Sequence, residues 1–154
     1  MKRQQGYTLI ETMIVTIIVV ILSAAGLYGW RSWQQQQRLW QSANQVREYL
    51  VLLRDDANWH NRDRALAIHR VGKTECLVSR DVTGCPSGDP WTLRLPWPEV
   101  TLAEMTPGLA FFGLRNTAWA GHVRLQSPAG NWLIVVSGWG RIRLCQPAEG
   151  NTCL

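Results

Sequence analysis

The first 60 residues alternate between two kinds of hydrophobic pattern. From Thr12 to Gly29 the chain runs 18 residues without a charge, and Ile14 to Leu22 is apolar apart from Thr16. A stretch of that length crosses a bilayer as a helix. Beyond Trp30 the apolar positions become periodic: Leu39, Ala43, Val46, Leu50, Leu53 and Ala57 recur every three or four residues, one face of an amphipathic helix. The polar stretch Gln34 to Gln37 does not interrupt it. One helix from Tyr7 to about Ala57 would hold about 51 residues and measure roughly 75 Å. Its first half needs lipid or other helices, and its second half needs a sheet. Trp30, Trp33 and Trp40 fall on one side of the helical wheel. Two accounts of them stand: contact with neighbouring subunits, or Trp30 anchored at the membrane interface and the others packed under the head.

From Asn58 the helical period stops and short strand-like runs begin. They are Ala65–Arg70, Cys76–Ser79, Trp91–Leu95, His122–Gln126, Trp132–Val136 and Arg141–Cys145. Ser127-Pro128-Ala129-Gly130-Asn131 predicts a turn joining two of them, and Pro96-Trp97-Pro98 predicts an extended connection. The predicted fold class is α+β: a long N-terminal transmembrane helix packed against a small antiparallel β-sheet head.

Composition adds compartment. The 154 residues are 46% hydrophobic and 18% charged, which suits one domain plus an extra element and excludes a disordered tail. Four cysteines form two close pairs, Cys76 with Cys85 and Cys145 with Cys153, without the C-x-x-C spacing of zinc or redox sites. They predict two disulfides and an oxidising compartment. Cross-pairing of the four is the alternative, and non-reducing peptide mapping separates the two. Each local loop of about ten residues contributes about 2–3 kcal/mol in the loop-entropy account. That matters for a head of about 95 residues, which buries only about 60–65% of its unfolded surface. With Lys2 and Arg3 before the apolar run and the cysteines after it, the N-terminus is expected in the cytoplasm and everything beyond about Trp30 outside.

A secretory signal peptide cleaved near Ser23-Ala24-Ala25 is the competing account of this N-terminus. Glu11 argues against it, because an ionised carboxylate in an apolar span costs on the order of 2–3 kcal/mol unless it is paired or near the interface. The segment Gly6-Tyr7-Thr8-Leu9-Ile10-Glu11-Thr12 resembles the cleavage site of type IV prepilins and pseudopilins. That resemblance implies that a prepilin peptidase cuts after Gly6 and N-methylates Tyr7, where the family usually has Phe. It further implies that Glu11 meets an N-terminal ammonium, its own or a neighbour's. The rest of the chain resembles a prepilin peptidase-dependent minor pilin of the GspH/FimT-like group. Asp56 to Asp63, Leu109 to His122 and Trp139 to Cys145 carry this likeness. The implied organisation is a leader at 1–6, a transmembrane and filament-core half-helix at 7–30, an amphipathic half-helix at 31–58 and a periplasmic β-rich head at 59–154. The net charge of +5 becomes +3 when the leader is removed.

No nucleophile motif, phosphate loop or paired-acid signature is present, so no enzymatic activity is expected. His60, His69 and His122 lack metal-ligand spacing, so neither metal nor cofactor is expected. His60 beside Asp63 reads as a cap or surface feature after the helix. From Met105 to Ala148 there is no acidic residue, while Arg115, Arg124, Arg141 and Arg143 all fall there. On a strand Arg141 and Arg143 share a face, with Ile142 and Leu144 toward the core. Two adjacent guanidinium groups suit phosphate, and Gly140-Arg141-Ile142-Arg143 resembles the G-R-x-R motif of FimT-like minor pilins that bind DNA. The plainer account is an arginine pair that keeps an exposed strand soluble.

The expected function is that of a minor pilin of a type IV pilus or type II secretion pseudopilus, acting near the filament tip. Its expected partners are prepilin peptidase, other minor pilins, the major pilin and the bacterial inner membrane. DNA bound through Arg141 and Arg143 is the alternative.

Overall fold

The computed structural model describes residues 6, 8–147 and 152–153. One helix, α1, occupies Leu9–His60. The chain divides into two units, Met1–Gln34 and Gln35–Leu154.

In the first unit every large apolar side chain of α1 from Leu9 to Trp33 stands exposed. Three hydroxyls there are satisfied within the helix: those of Thr12, Thr16 and Ser23 donate to the carbonyls of Leu9, Met13 and Val19 at 2.7–2.8 Å. Such self-sufficiency is what hydrocarbon demands of a helix, and α1 is long and apolar enough to cross a membrane. Trp30 and Trp33 lean on each other with ring centroids 5.2 Å apart.

In the second unit the same helix buries one face. Leu39, Ala43, Val46, Leu50, Leu53 and Ala57, the periodic set, are joined by Ser42 and Tyr49. Trp40 packs on Trp132 at 4.9 Å between ring centroids, so it belongs to the head and not with Trp30 and Trp33. α1 ends in a Schellman turn. Asn61 takes a positive φ of 48° and the Arg62 N–H reaches back to the Ala57 carbonyl at 3.1 Å.

The strands are β1 (Arg64–Val71), β2 (Thr74–Ser79), β3 (Thr92–Arg94), β4 (Thr101–Met105), β5 (Ala110–Phe112), β6 (Thr117–Trp119), β7 (Gly121–Ser127), β8 (Gly130–Val136), β9 (Ile142–Gln146) and β10 (Thr152–Cys153). A short 3-10 turn, η1, covers Leu114–Asn116. The head is two five-stranded antiparallel sheets rather than one small one: β3-β2-β1-β5-β6 and β10-β9-β8-β7-β4. Strands β4, β5, β6 and β10 are additions to the expected set, β3 is shorter than expected, and β9 is shifted by one residue. Arg141 lies just outside β9. Leu66, Leu77, Phe111, Val123, Leu125, Ile134 and Leu144 meet the helix face in one core.

Both sheets are tied by side chains as well as packing. Cys76 bonds to Cys85, and Cys145 bonds to Cys153, its register partner on the neighbouring strand. Leu102 on the edge strand β4 has its N–H received by the Glu75 carboxylate at 3.0 Å. Its carbonyl accepts from Arg70 at 3.4 Å, and Arg70 and Glu75 pair with each other at 2.9 Å. The Tyr49 hydroxyl donates to the Trp91 carbonyl at 2.6 Å, and burial pushes its ionisation far upward. Arg38 stacks over the Trp97 ring at 4.4 Å and pairs with Glu99 at 2.7 Å. That hydrogen bond holds the Glu99 carboxyl below its usual range.

The junction between the helix end and the first sheet is electrostatic. Arg64, at the start of β1, is 5% exposed and lies 4.1 Å over the Trp91 ring. It donates to Asp56 at 2.6 Å and to Asp81 at 3.2 Å. Asp56 also receives Arg62 at 3.2 Å and pairs with His60 at 2.9 Å, so His60 faces Asp56 one turn back rather than Asp63. Burial alone would raise the Asp56 carboxyl, but the hydrogen bonds from Arg62 and Arg64 outweigh it and hold it below the ordinary carboxylate range.

Candidate functional site

Two places on the chain carry the candidate residues. The first is the start of α1. Gly6 is exposed, and a side chain at its α-carbon would meet nothing within 4 Å. Tyr7 lies outside the described residues, as do Lys2 and Arg3. The Thr8 carbonyl accepts the N–H groups of Glu11 at 3.0 Å and Thr12 at 3.3 Å, which opens the helix. Glu11 therefore sits in the first turn, where the partial positive charge of the unpaired N–H groups favours a carboxylate. It is exposed, and with Thr12, Val15 and Thr16 it lines a shallow apolar groove along the helix.

The second place is the β8–β9 turn. Ser137 organises it: its carbonyl accepts the Gly140 N–H at 2.9 Å, and its hydroxyl accepts the Arg141 N–H at 3.2 Å. Gly140 takes a φ of 71°, which an L side chain adopts only under strain. The turn brings Arg141 and Arg143 to one open groove of about 660 Å³, whose other lining residues include Trp139, Val135 and the Cys145–Cys153 bridge. Both arginines are exposed, and neither makes a salt bridge among the described residues. Leu144 is buried on the opposite side. Of the remaining arginines of the acid-free stretch, Arg124 is engaged by a carboxylate, pairing with Glu104 of β4 at 3.5 Å, and Arg115 sits on η1.

Among the described residues no group of three or more His, Cys, Asp or Glu is placed to hold a metal ion. His122 instead meets Thr106, whose hydroxyl lies 3.2 Å from Nδ1 and accepts the His122 backbone N–H at 3.0 Å.

Residues 1–27 match the prokaryotic N-terminal methylation motif. No curated protein matches the chain. Among solved structures, the minor pseudopilin EpsH from the type 2 secretion system of Vibrio cholerae superposes with a TM-score of 0.51. The two are 17% identical, and the match covers 73% of this chain and 99% of that one. The fold is pilin-like. A pilin-like head on an apolar helix, opened by a methylation motif, supports a role in a type IV pilus or type II secretion pseudopilus. The same pair of findings supports processing by a prepilin peptidase and anchorage in the inner membrane.

The sequence missed the charge cluster of Asp56, Arg62, Arg64 and Asp81, with Asp56 and Arg64 buried at its centre, that holds the helix end to the pilin-like head. Its one available signal was the density of opposite charges between Asp55 and Arg64.

Proposed function

We propose that this chain is a minor pilin or pseudopilin, cut between Gly6 and Tyr7 and methylated on Tyr7. It is anchored with its N-terminus in the cytoplasm and its head in the periplasm, and it is assembled with other minor pilins and the major pilin near the filament tip. The observation that carries this reading is Glu11 in the first turn of an apolar helix, inside the matched motif. An apolar helix leaves lipid at little cost when a bundle of similar helices replaces it. A carboxylate in that bundle then fixes register against a neighbour's ammonium. On this reading residues 1–6 are the leader, 7–30 the filament core, 31–58 the amphipathic half-helix and 59–154 the head. The test is the intact mass of the protein extracted from membranes with and without the peptidase. A chain starting at methylated Tyr7 only when the peptidase is present supports the proposal. A chain starting near Gly26, or an uncut one, ends it.

A second reading concerns the β8–β9 turn. Arg141 and Arg143 share an open groove with Trp139, and no acidic residue lines it among the described residues. Guanidinium groups so placed favour sequence-independent, salt-sensitive binding of DNA. The head's DNA affinity should then fall on Arg141→Ala plus Arg143→Ala and lose most of its salt dependence. Unchanged binding by the double variant removes the assignment.

A further inference from the structure

The groove beside the β8–β9 turn holds more than its two arginines. Trp139, in the middle of that turn, is 83% exposed and lines the same groove as Arg141 and Arg143. Elsewhere in the second unit tryptophan rings stack within the chain: Trp40 on Trp132, Trp91 under Arg64 and Trp97 under Arg38. Trp139 stacks on no other ring and under no guanidinium among the described residues. The backbone that carries it is nonetheless held from three directions. Arg54 of α1 donates to the Gly140 carbonyl at 3.3 Å, the Ala118 N–H of β6 to the Gly138 carbonyl at 3.0 Å, and the Ser137 N–H to the Arg141 carbonyl at 2.9 Å. Gly140 itself is buried, with the Asn116 carbonyl 3.3 Å from where a β-carbon would stand. A bare ring on so fixed a base loses little freedom when something settles on it.

The arginines are spaced by the sheet. Arg143 is the register partner of Val135, and the hydrogen bond between Ser137 and Arg141 continues that ladder past Val136 and Ile142. Arg141 and Arg143 therefore stand two residues apart on one face, with α-carbons about 6.6 Å from each other. Successive phosphates of an extended nucleic-acid strand keep a similar distance. The groove thus combines two cations, unpaired among the described residues, with one flat apolar face.

We infer that this groove takes single-stranded DNA, with Arg141 and Arg143 on successive phosphates and Trp139 stacked on an unpaired base beside them. The inference rests on the DNA reading of the β8–β9 turn and narrows it to one form of the strand. Inside a duplex both faces of a base are covered by its neighbours, so the indole reaches none of them and only the arginines bind. An unpaired strand offers a free face at every base, and stacking of a base on an aromatic side chain tolerates any sequence because every base has such a face. The guanidinium groups fork onto phosphate oxygens in either case. An acidic peptide meets the arginines as well, but it brings no planar face for the indole, and Trp139 would stay bare.

The test is fluorescence anisotropy with the full-length chain in a non-ionic detergent. The labelled probes are an oligothymidylate, an abasic strand and a duplex of the same length, and an oligoglutamate peptide. The oligothymidylate should bind about tenfold more tightly than the abasic strand. Trp139→Ala should remove that tenfold and leave the abasic strand and the duplex within about twofold of the parent, while Trp139→Phe retains most of it. Arg141→Ala with Arg143→Ala should weaken all three nucleic acids and reduce the salt slope for the oligothymidylate by about 1.4, the share of two phosphates. Intact disulfides on non-reducing mapping control for folding. Equal binding of the oligothymidylate and the abasic strand, or a Trp139→Ala loss as large on the duplex, overturns the single-strand inference and leaves the DNA reading standing. Binding of no nucleic acid, binding unchanged in the arginine double variant, or oligoglutamate bound as tightly as oligothymidylate removes both.

Discussion

The two halves of α1 obey the same helical geometry and solve opposite problems. In Leu9 to Trp33 the apolar residues surround the helix and all are exposed, so its surroundings must come from outside the chain. In Leu39 to Ala57 they are confined to one face and are buried by the chain's own sheets. The lesson is that apolar content does not say where a helix stabilises a protein; its distribution around the axis does. A side chain in the first half can matter to assembly while contributing nothing to the head's folding, and the second half reverses that assignment.

Substitutions that separate the halves sharpen the contrast. The largest effect is expected at Glu11. Glu11→Ala should still be processed after Gly6, yet reduce incorporation into filaments by more than about tenfold, the weight of roughly 2–3 kcal/mol at that depth. Normal incorporation, counted on sheared filaments, would refute the role. Next comes the core face: Leu50→Ala should destabilise the head by about 2–5 kcal/mol. Ile18→Ala should leave head unfolding within about 0.5 kcal/mol of the parent. Denaturant titrations in detergent distinguish them, and equal effects would break the division.

Gly113→Ala should cost about 1–3 kcal/mol, because the new methyl group meets the backbone of the helix end. The smallest effect is in acid. The Asp56 and Glu99 carboxyls sit below their ordinary range. Their stabilisation is therefore fully present above the unfolded values near pH 4 and is lost as pH falls through the lowered folded values. Asp56→Asn should flatten part of that acid slope in unfolding curves measured between about pH 2 and pH 6. A slope unchanged in both Asp56→Asn and Glu99→Gln would place the acid sensitivity elsewhere.

The helix was legible because its period repeats over six buried positions, and β1, β2, β7 and β8 because each contains a strand-like run of four to six residues. Strands β4, β5, β6 and β10 escaped notice for a physical reason. They are two to five residues long, and in β4 the register shifts between Leu102 and Glu104. Their pairing is decided by neighbours far along the chain. Arg64 escaped too, since a charged residue reads as exposed until Asp56, Asp81 and Trp91 converge on it. Glu11, Arg141 and Arg143 were legible as positions.

The grip of Arg70 and Glu75 on Leu102 has a consequence for crowding. An edge strand offers its unpaired N–H and carbonyl groups as a template for the next chain. Here a guanidinium and a carboxylate take the seats that another peptide group would fill, one accepting and one donating as a neighbouring strand does. A surrogate of this kind has no further edge to offer, so at Leu102 it terminates the sheet chemically. Copies concentrated in a membrane plane are thereby denied one route to indiscriminate β-stacking, and association is left to the surfaces that side chains define.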